Sequence, residues 1–435
     1  MIEINEFKLP ILPTEARSFI QNQTDSFGVF FDVDRINEYR GLLSIENRHL
    51  RRELKKMSHN PSLDVKDKGS IIEALVKMGV NRAEFNGSSY NADTRKKILN
   101  NPKYSEDVVH FVKLTDKFSS NKRNIGALDT FAQFPQSVCL SNQNHRMAVA
   151  HPSWSLLNTS RIAASNPGIQ GVPRDMGDII CEPAGYTLVR CDSGQIEPRI
   201  NFSHFFRDEL IINLITHYND AYMGILHYCM MSPEEEAACR KSFATNFKEM
   251  TITDDIKEMR KDLKTLTLAG TYGSTNLGNI NQQLAKVYEI KIVKHPARLQ
   301  LERRVTEEVE RGVDTFYGAF GTPVKPDSTS KYTVGDGGWK GHLVRCGINN
   351  PTQTTASELM MFSVNKAKEI LSRAKDTHVC FYKHDEACFY VSDEDMASGI
   401  GDELMDVTSY SVKGWIPIYA DPLVGVKPSN YPSYL

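Results

Sequence analysis

The run Tyr186-Thr187-Leu188-Val189 followed by Cys191-Asp192-Ser193-Gly194-Gln195-Ile196-Glu197-Pro198-Arg199 constrains the chain more than any other stretch. Residues with high strand preference deliver Asp192 to a turn, and a helical pattern then carries Gln195, Glu197 and Arg199 away. An aspartate between a strand and a helix ordinarily caps the helix or closes the turn. It can also hold a metal ion, and the rest of the chain has to decide between the two.

At 435 residues the chain is too long for one ordinary core, and two or three compact bodies are expected. The formal net charge of −2 neither implies nor excludes a polyanionic partner, because a nucleic-acid enzyme needs only a locally basic groove. The eight cysteines (139, 181, 191, 229, 239, 346, 380, 388) form no C-x-x-C pair, which fits free thiols in a reducing cytosol. The N-terminus lacks a basic segment leading into an apolar run, and no stretch is apolar enough to span a bilayer. A cytoplasmic protein is expected, with no membrane partner.

Residues 1–25 read as a loose lead-in. Ile36, Tyr39, Leu42, Leu43, Leu50 and Leu54 recur at helical spacing from Asp34 to Met57, with Arg48, Arg51, Arg52, Lys55 and Lys56 on the remaining positions as a solvated face. Shorter helical patterns cover Ser70–Met78 and the segment from Ser105, which is expected to end in Lys117-Phe118-Ser119-Ser120-Asn121-Lys122-Arg123-Asn124. There, Lys117, Lys122 and Arg123 among small polar side chains suit either a sugar-phosphate backbone or a plain helix terminus. Val138 to Ala150 reads as a strand pair, and the turn-rich Asn158–Arg174 loop carries Arg161, Gln170 and Arg174 as directed donors.

Helical patterns then follow over 202–216, 221–230, 233–243 and 253–272. The last carries Arg260, Lys264, Leu268 and Tyr272 at every fourth position. Gly335–Gly341 is glycine-rich but lacks the Gly-Lys-Ser/Thr ending of a phosphate loop, so a flexible loop is expected. A further helix starts near Arg345 and passes Asn349 and Gln353 to Ala374. Finally, His378–Val391 places β-prone arms around His384-Asp385-Glu386, the pattern of a hairpin with charges at its bend. Two carboxylates on neighbouring strand ends can hold two Mg²⁺ ions, which favour hard oxygen ligands and substrate phosphates. Asp192 and Asp385 meet that need.

Taken together, these segments resemble the family A DNA polymerases, those similar to bacterial DNA polymerase I, over roughly residues 25–435. Asp192–Arg199 is similar to that family's motif A, Asp-Tyr-Ser-Gln-Ile-Glu-Leu-Arg, and Arg260–Gly273 resembles motif B through Arg260, Lys264, Tyr272 and Gly273. His384-Asp385-Glu386 matches motif C. Arg161 with the Asn166–Pro173 loop, and Arg345, Asn349 and Gln353, resemble two further segments of the family, in family order.

The resemblance implies an α+β right-hand polymerase fold: a helical thumb over 26–125, a palm with an antiparallel sheet split between 126–205 and 340–435, and helical fingers over 206–339. It implies a template-directed DNA polymerase that adds dNTPs to a primer 3′-OH and releases pyrophosphate. Asp192 and Asp385, with the Ser193 backbone carbonyl, would bind two Mg²⁺ ions, for which Mn²⁺ could substitute. Asp192, Asp385, Lys264 and Glu386 would be catalytic. Gln195, Glu197, Arg260, Lys264, Leu268, Tyr272 and His384 would contact the nucleotide, with Glu197 blocking a ribose 2′-OH. Primer-template DNA would be held by Arg161, Arg345, Asn349, Gln353 and Gly273, and by Lys117, Lys122 and Arg123.

The chain has no room ahead of the thumb for an exonuclease domain, so proofreading is expected only from a separate subunit; a separate processivity subunit would also be compatible. Departures from the family are Ser193 and Gly194 for Tyr-Ser, Pro198 for Leu, and Leu268-Ala269 for Phe-Gly. Leu268 is expected to stack poorly on the nucleotide and weaken sugar selection. Two alternatives remain: a single-subunit phage-type RNA polymerase, whose motif B also ends Tyr-Gly-Ser, and a catalytically inactive primer-template clamp. Glu197 and Glu386 weigh against the first, and the two carboxylates against the second.

Overall fold

The structure, a computed structural model, describes residues 1–85, 90–140, 145–271, 282–326, 338–383 and 385–427. The side chains at 92–93, 137–140, 174, 268–271 and 282 also lie outside the description. The chain divides into two compact units. One comprises Met1–Val29, His151–Gln170 and Gly185–Gly425, and the other Phe30–Ala150, Gly171–Ala184 and Val426–Leu435.

The first unit is built on a four-stranded antiparallel sheet in the order Thr377–Lys383, Glu386–Ser392, Tyr186–Ser193, Ala420–Val424. Ala387, Cys388, Phe389, Tyr390 and Val391 are all fully buried, so this central strand is covered on both faces and reads as a continuous apolar run. One covering element is the helix Pro13–Phe27, whose last residue stacks on His378 with ring centroids 3.9 Å apart. The expectation of a loose lead-in is therefore corrected. Ile2–Ile4 also forms a strand, paired in parallel with Tyr410–Val412. Ala16, Ile20 and Thr24 give the helix a buried face at every fourth position, whereas the Ile2–Ile4 strand depends on a partner some 400 residues away in sequence.

The helices after Arg199 pack around Leu210, Ile211, Leu214, Ile225, Leu226, Leu263 and Leu266. Fully burying each such side chain stabilises the unit by roughly 1.5–3 kcal/mol. The single helix expected over 202–216 is in fact broken. A short helix Ile196–Ile200 runs into a wider turn over Asn201–Phe205, and Glu209–Tyr218 starts afresh. The new start is set by Asp208, whose carboxylate accepts the Leu210 and Ile211 N–H groups at 3.0 Å each. The helix Trp339–Leu371 is 33 residues long and contains Pro351. It begins earlier than expected, taking in Trp339, Lys340 and Gly341 from the glycine-rich segment.

In the second unit the helices Val33–Met57 and Glu106–Ala132 pack side by side, and Leu50, Leu54, Phe111, Val112 and Phe118 share a core. Asp32 caps the first by accepting the Arg35 N–H at 2.7 Å. The second does not end in Lys117–Asn124, as expected, but runs on to Ala132. The polar residues there had the look of a terminus; instead, buried Asn121 donates to Glu46 on the neighbouring helix at 2.7 Å. Among the described residues, no helix is long and apolar enough to cross a membrane.

Candidate active site

Asp192 sits one residue before the end of its strand. It lies directly opposite Glu386 on one side and Asp421 on the other. Opposed residues of an antiparallel pair share a face, so three carboxylate side chains rise from the same side of the sheet. The Ser193 N–H donates to the Asp385 carbonyl at 2.9 Å, which fixes the hairpin bend beside the end of the Asp192 strand. Burial pushes the Asp385 carboxyl up to about 7, and the charges of Asp192 and Glu197 push the same way. Arg161 opposes them only in part. Carboxylates held this close to one another favour a cation.

Glu386, by contrast, faces a cation already. Arg190 Nε donates to it at 2.9 Å and the guanidinium lies over the Phe381 ring, 5.1 Å from its centroid. Arg190 is 5% exposed, so this ion pair is built into the sheet immediately behind Asp192.

Ser193, Gly194 and Pro198 each fit their local surroundings. Ser193 is buried and its Oγ donates to the Thr408 carbonyl at 3.1 Å. The Gly194 N–H donates to the Tyr419 carbonyl at 2.9 Å, and a Cβ at 194 would stand 3.1 Å from that oxygen. A side chain there would press on the neighbouring segment. Gln195 follows with φ 56°, a left-handed conformation uncommon outside glycine, and turns the chain into the Ile196–Ile200 helix. Pro198 lies in that helix's first turn, where no backbone donor is missed. Arg199 pins the turn by donating to the Gly194, Pro417 and Asn219 carbonyls at 3.1, 2.6 and 2.9 Å.

Glu197 and Arg161 are brought together. Arg161 Nη2 lies 2.7 Å from the Glu197 carboxylate, with both side chains mostly buried. Gln195 points its Oε1 at the Ala221 N–H, at the start of the helix Ala221–Met230. Arg260, on the helix Asp254–Thr271, reaches the same helix start. Its Nη2 and Nε lie 2.6 and 2.8 Å from one oxygen of Asp220. Lys264, one turn further along, is exposed.

On the Trp339–Leu371 helix, Arg345, Asn349 and Gln353 share one face by spacing. Arg345 and Gln353 are half-buried. Asn349 is buried and lines a cleft with Pro198, Asn201, Phe202, Thr267 and Ile348. Lys117, Lys122 and Arg123 belong to the other unit; all three are exposed, and Lys117 pairs with Glu46. Tyr272, Gly273 and His384 lie outside the described residues, as does the side chain of Leu268.

Two neighbours of the site were missed in the sequence, Asp220 and Tyr222. Tyr222 is buried, with Arg260 over its ring at 5.6 Å, and burial raises its hydroxyl to about 12. The available signal was Asp220 at a helix start, which marks a cap and nothing more.

No family model matches the chain. No curated protein matches it either. Solved structures do, and the fold they define is that of a DNA polymerase domain. One such structure is the POL domain of Pol1 from M. smegmatis, in complex with DNA primer-template and dNTP. It superposes with a TM-score of 0.72 at 14% identity, covering 95% of this chain and 70% of that one. At that identity the likeness is one of fold.

Proposed function

We propose that the chain is a template-directed DNA polymerase that adds dNTPs to a primer 3′-OH and releases pyrophosphate. One observation carries this reading: Asp192 near the end of its strand and Asp385 in the adjoining hairpin bend are tied by the Ser193–Asp385 hydrogen bond, in a polymerase fold. The neighbour's primer-template and dNTP are the partners this reading brings to the chain.

Asp192 and Asp385, with the Ser193 carbonyl, are the groups that would hold two Mg²⁺ ions. Their crowding and hard oxygen donors fit that cation, and the remaining ligands would come from phosphate and water. Bound Mg²⁺ would stabilise the negative charge that develops on the attacking and leaving oxygens. The chain's own groups would do the rest. Arg260 and Lys264 would neutralise the triphosphate, and Lys264 would protonate the departing pyrophosphate. Glu197, held by Arg161, fills the space a ribose 2′-OH would need. Glu386, held by Arg190, would be the third catalytic carboxylate beside Asp192 and Asp385.

Primer extension on a DNA template, with dNTPs and NTPs supplied separately, tests this. Extension by dNTPs alone supports it; extension by NTPs alone would make the chain an RNA polymerase; DNA binding without extension would make it a clamp.

A further inference from the structure

We propose that Asp220 is a built-in competitor for the anion that Arg260 grips, and so sets how tightly the chain binds a nucleoside triphosphate. The inference rests on the polymerase reading only for the identity of that anion.

The Asp220 carboxylate is used on both sides. One oxygen accepts from Arg260 Nη2 and Nε at 2.6 and 2.8 Å. The other accepts the Met223 N–H at 3.0 Å and so caps the helix Ala221–Met230. The cap fixes Asp220 in place whether or not Arg260 is present. The same corner is held from a third direction, since Arg199 Nη2 donates to the Asn219 carbonyl and Oδ1 at 2.9 and 3.2 Å and sits close enough to Asp220 to feel its charge. Asp220 would therefore keep a capping N–H and a nearby cation after losing Arg260. A carboxylate with those compensations releases its partner at low cost, unlike one left bare.

Arg260 is equally suited to exchange. Its side chain is 31% exposed, and it lies over the Tyr222 ring, a face that tolerates small movements of the guanidinium. A triphosphate carries more charge than a carboxylate and offers several oxygens to the guanidinium fork. It wins the exchange, but its net affinity is lowered by the strength of the Asp220 pair. Asp220 is thus a positioning residue, acting on the nucleotide through Arg260.

The full chain with Asp220→Asn tests this, because asparagine keeps the cap and removes the charge. Binding of dATP with Mg²⁺, measured by titration calorimetry, should tighten about two- to fivefold, the worth of a partly exposed ion pair. In primer extension the KM for dNTP should fall by a similar factor while kcat does not rise. Arg260→Ala should weaken dATP binding, and the double variant should behave as Arg260→Ala alone. Asp220→Ser, which also caps without charge, replaces Asp220→Asn if that variant melts early. Unchanged or weaker dATP binding in the capped, uncharged variant overturns the proposal, as does tightening that survives in the Arg260→Ala background. Tightening of dATP binding in a chain that extends no primer would leave the competitor in place and remove the polymerase reading instead.

Discussion

Arg161 and Glu197, 36 residues apart in sequence, are joined by an ion pair of 2.7 Å beside the two carboxylates of the candidate site. On the proposed function Arg161 would serve the primer-template groove and Glu197 the sugar, and the ion pair would couple those two tasks. A nucleic acid that drew Arg161 away would then also free Glu197.

That coupling predicts the behaviour of Arg161→Ala. Glu197 loses its anchor and becomes mobile, so the preference for dNTP over NTP should fall by about tenfold, the scale of one charge-assisted hydrogen bond. Single-nucleotide incorporation with matched dNTP and NTP measures the ratio. An unchanged ratio with weaker DNA binding would mean that Arg161 serves the groove alone.

Gly194 should resist substitution by a larger residue. With a Cβ only 3.1 Å from the Tyr419 carbonyl, Gly194→Ala forces the Ser193–Gln195 turn and the segment at Tyr419 apart by a few tenths of an ångström. The expected cost is about 1–3 kcal/mol, the usual range for overpacking, together with a lower kcat because the displaced turn carries Asp192. Chemical denaturation and primer extension on the same variant check both.

Acid should loosen the helical part of the first unit through Asp208. Burial pushes its carboxyl up, but His295, the Ile211 N–H and Arg240 outweigh burial and bring it to about 2, below the ordinary 3.8. A depressed carboxyl stabilises the fold above its unfolded value, and that contribution is lost as pH falls from about 4 towards 2. Asp208→Asn keeps the helix cap and should destabilise the chain at neutral pH by about 1–3 kcal/mol. Its melting temperature should then change less than the wild type's between pH 4 and pH 2; equal slopes would rule Asp208 out as the cause.

What could be read from the sequence was local. Strand-forming residues before Asp192 and around His384–Glu386, and the helical spacing of Ile36 to Leu54, mark elements whose patterns are complete within a few turns. What could not be read depends on distant partners. Ile2–Ile4 is a strand only because Tyr410–Val412 lies beside it. Ser119–Asn124 stays helical because Asn121 finds Glu46. Asp208 breaks a helix whose apolar period runs straight through it, and the Arg260–Asp220 and Arg161–Glu197 pairs join charges that each look solvated alone. At the site, residue types were legible, and the pairing between them was not.

The central claim, that Asp192 and Asp385 form the nucleotidyl-transfer site, is tested most directly by Mg²⁺-dependent primer extension with Asp192→Asn. Asparagine keeps the size of the side chain and its place opposite Glu386 and Asp421. Extension should fall by about a thousandfold or more, the scale of losing a principal charge at a reacting phosphate, while primer-template binding stays near wild type. Extension within a few fold of wild type would contradict the claim.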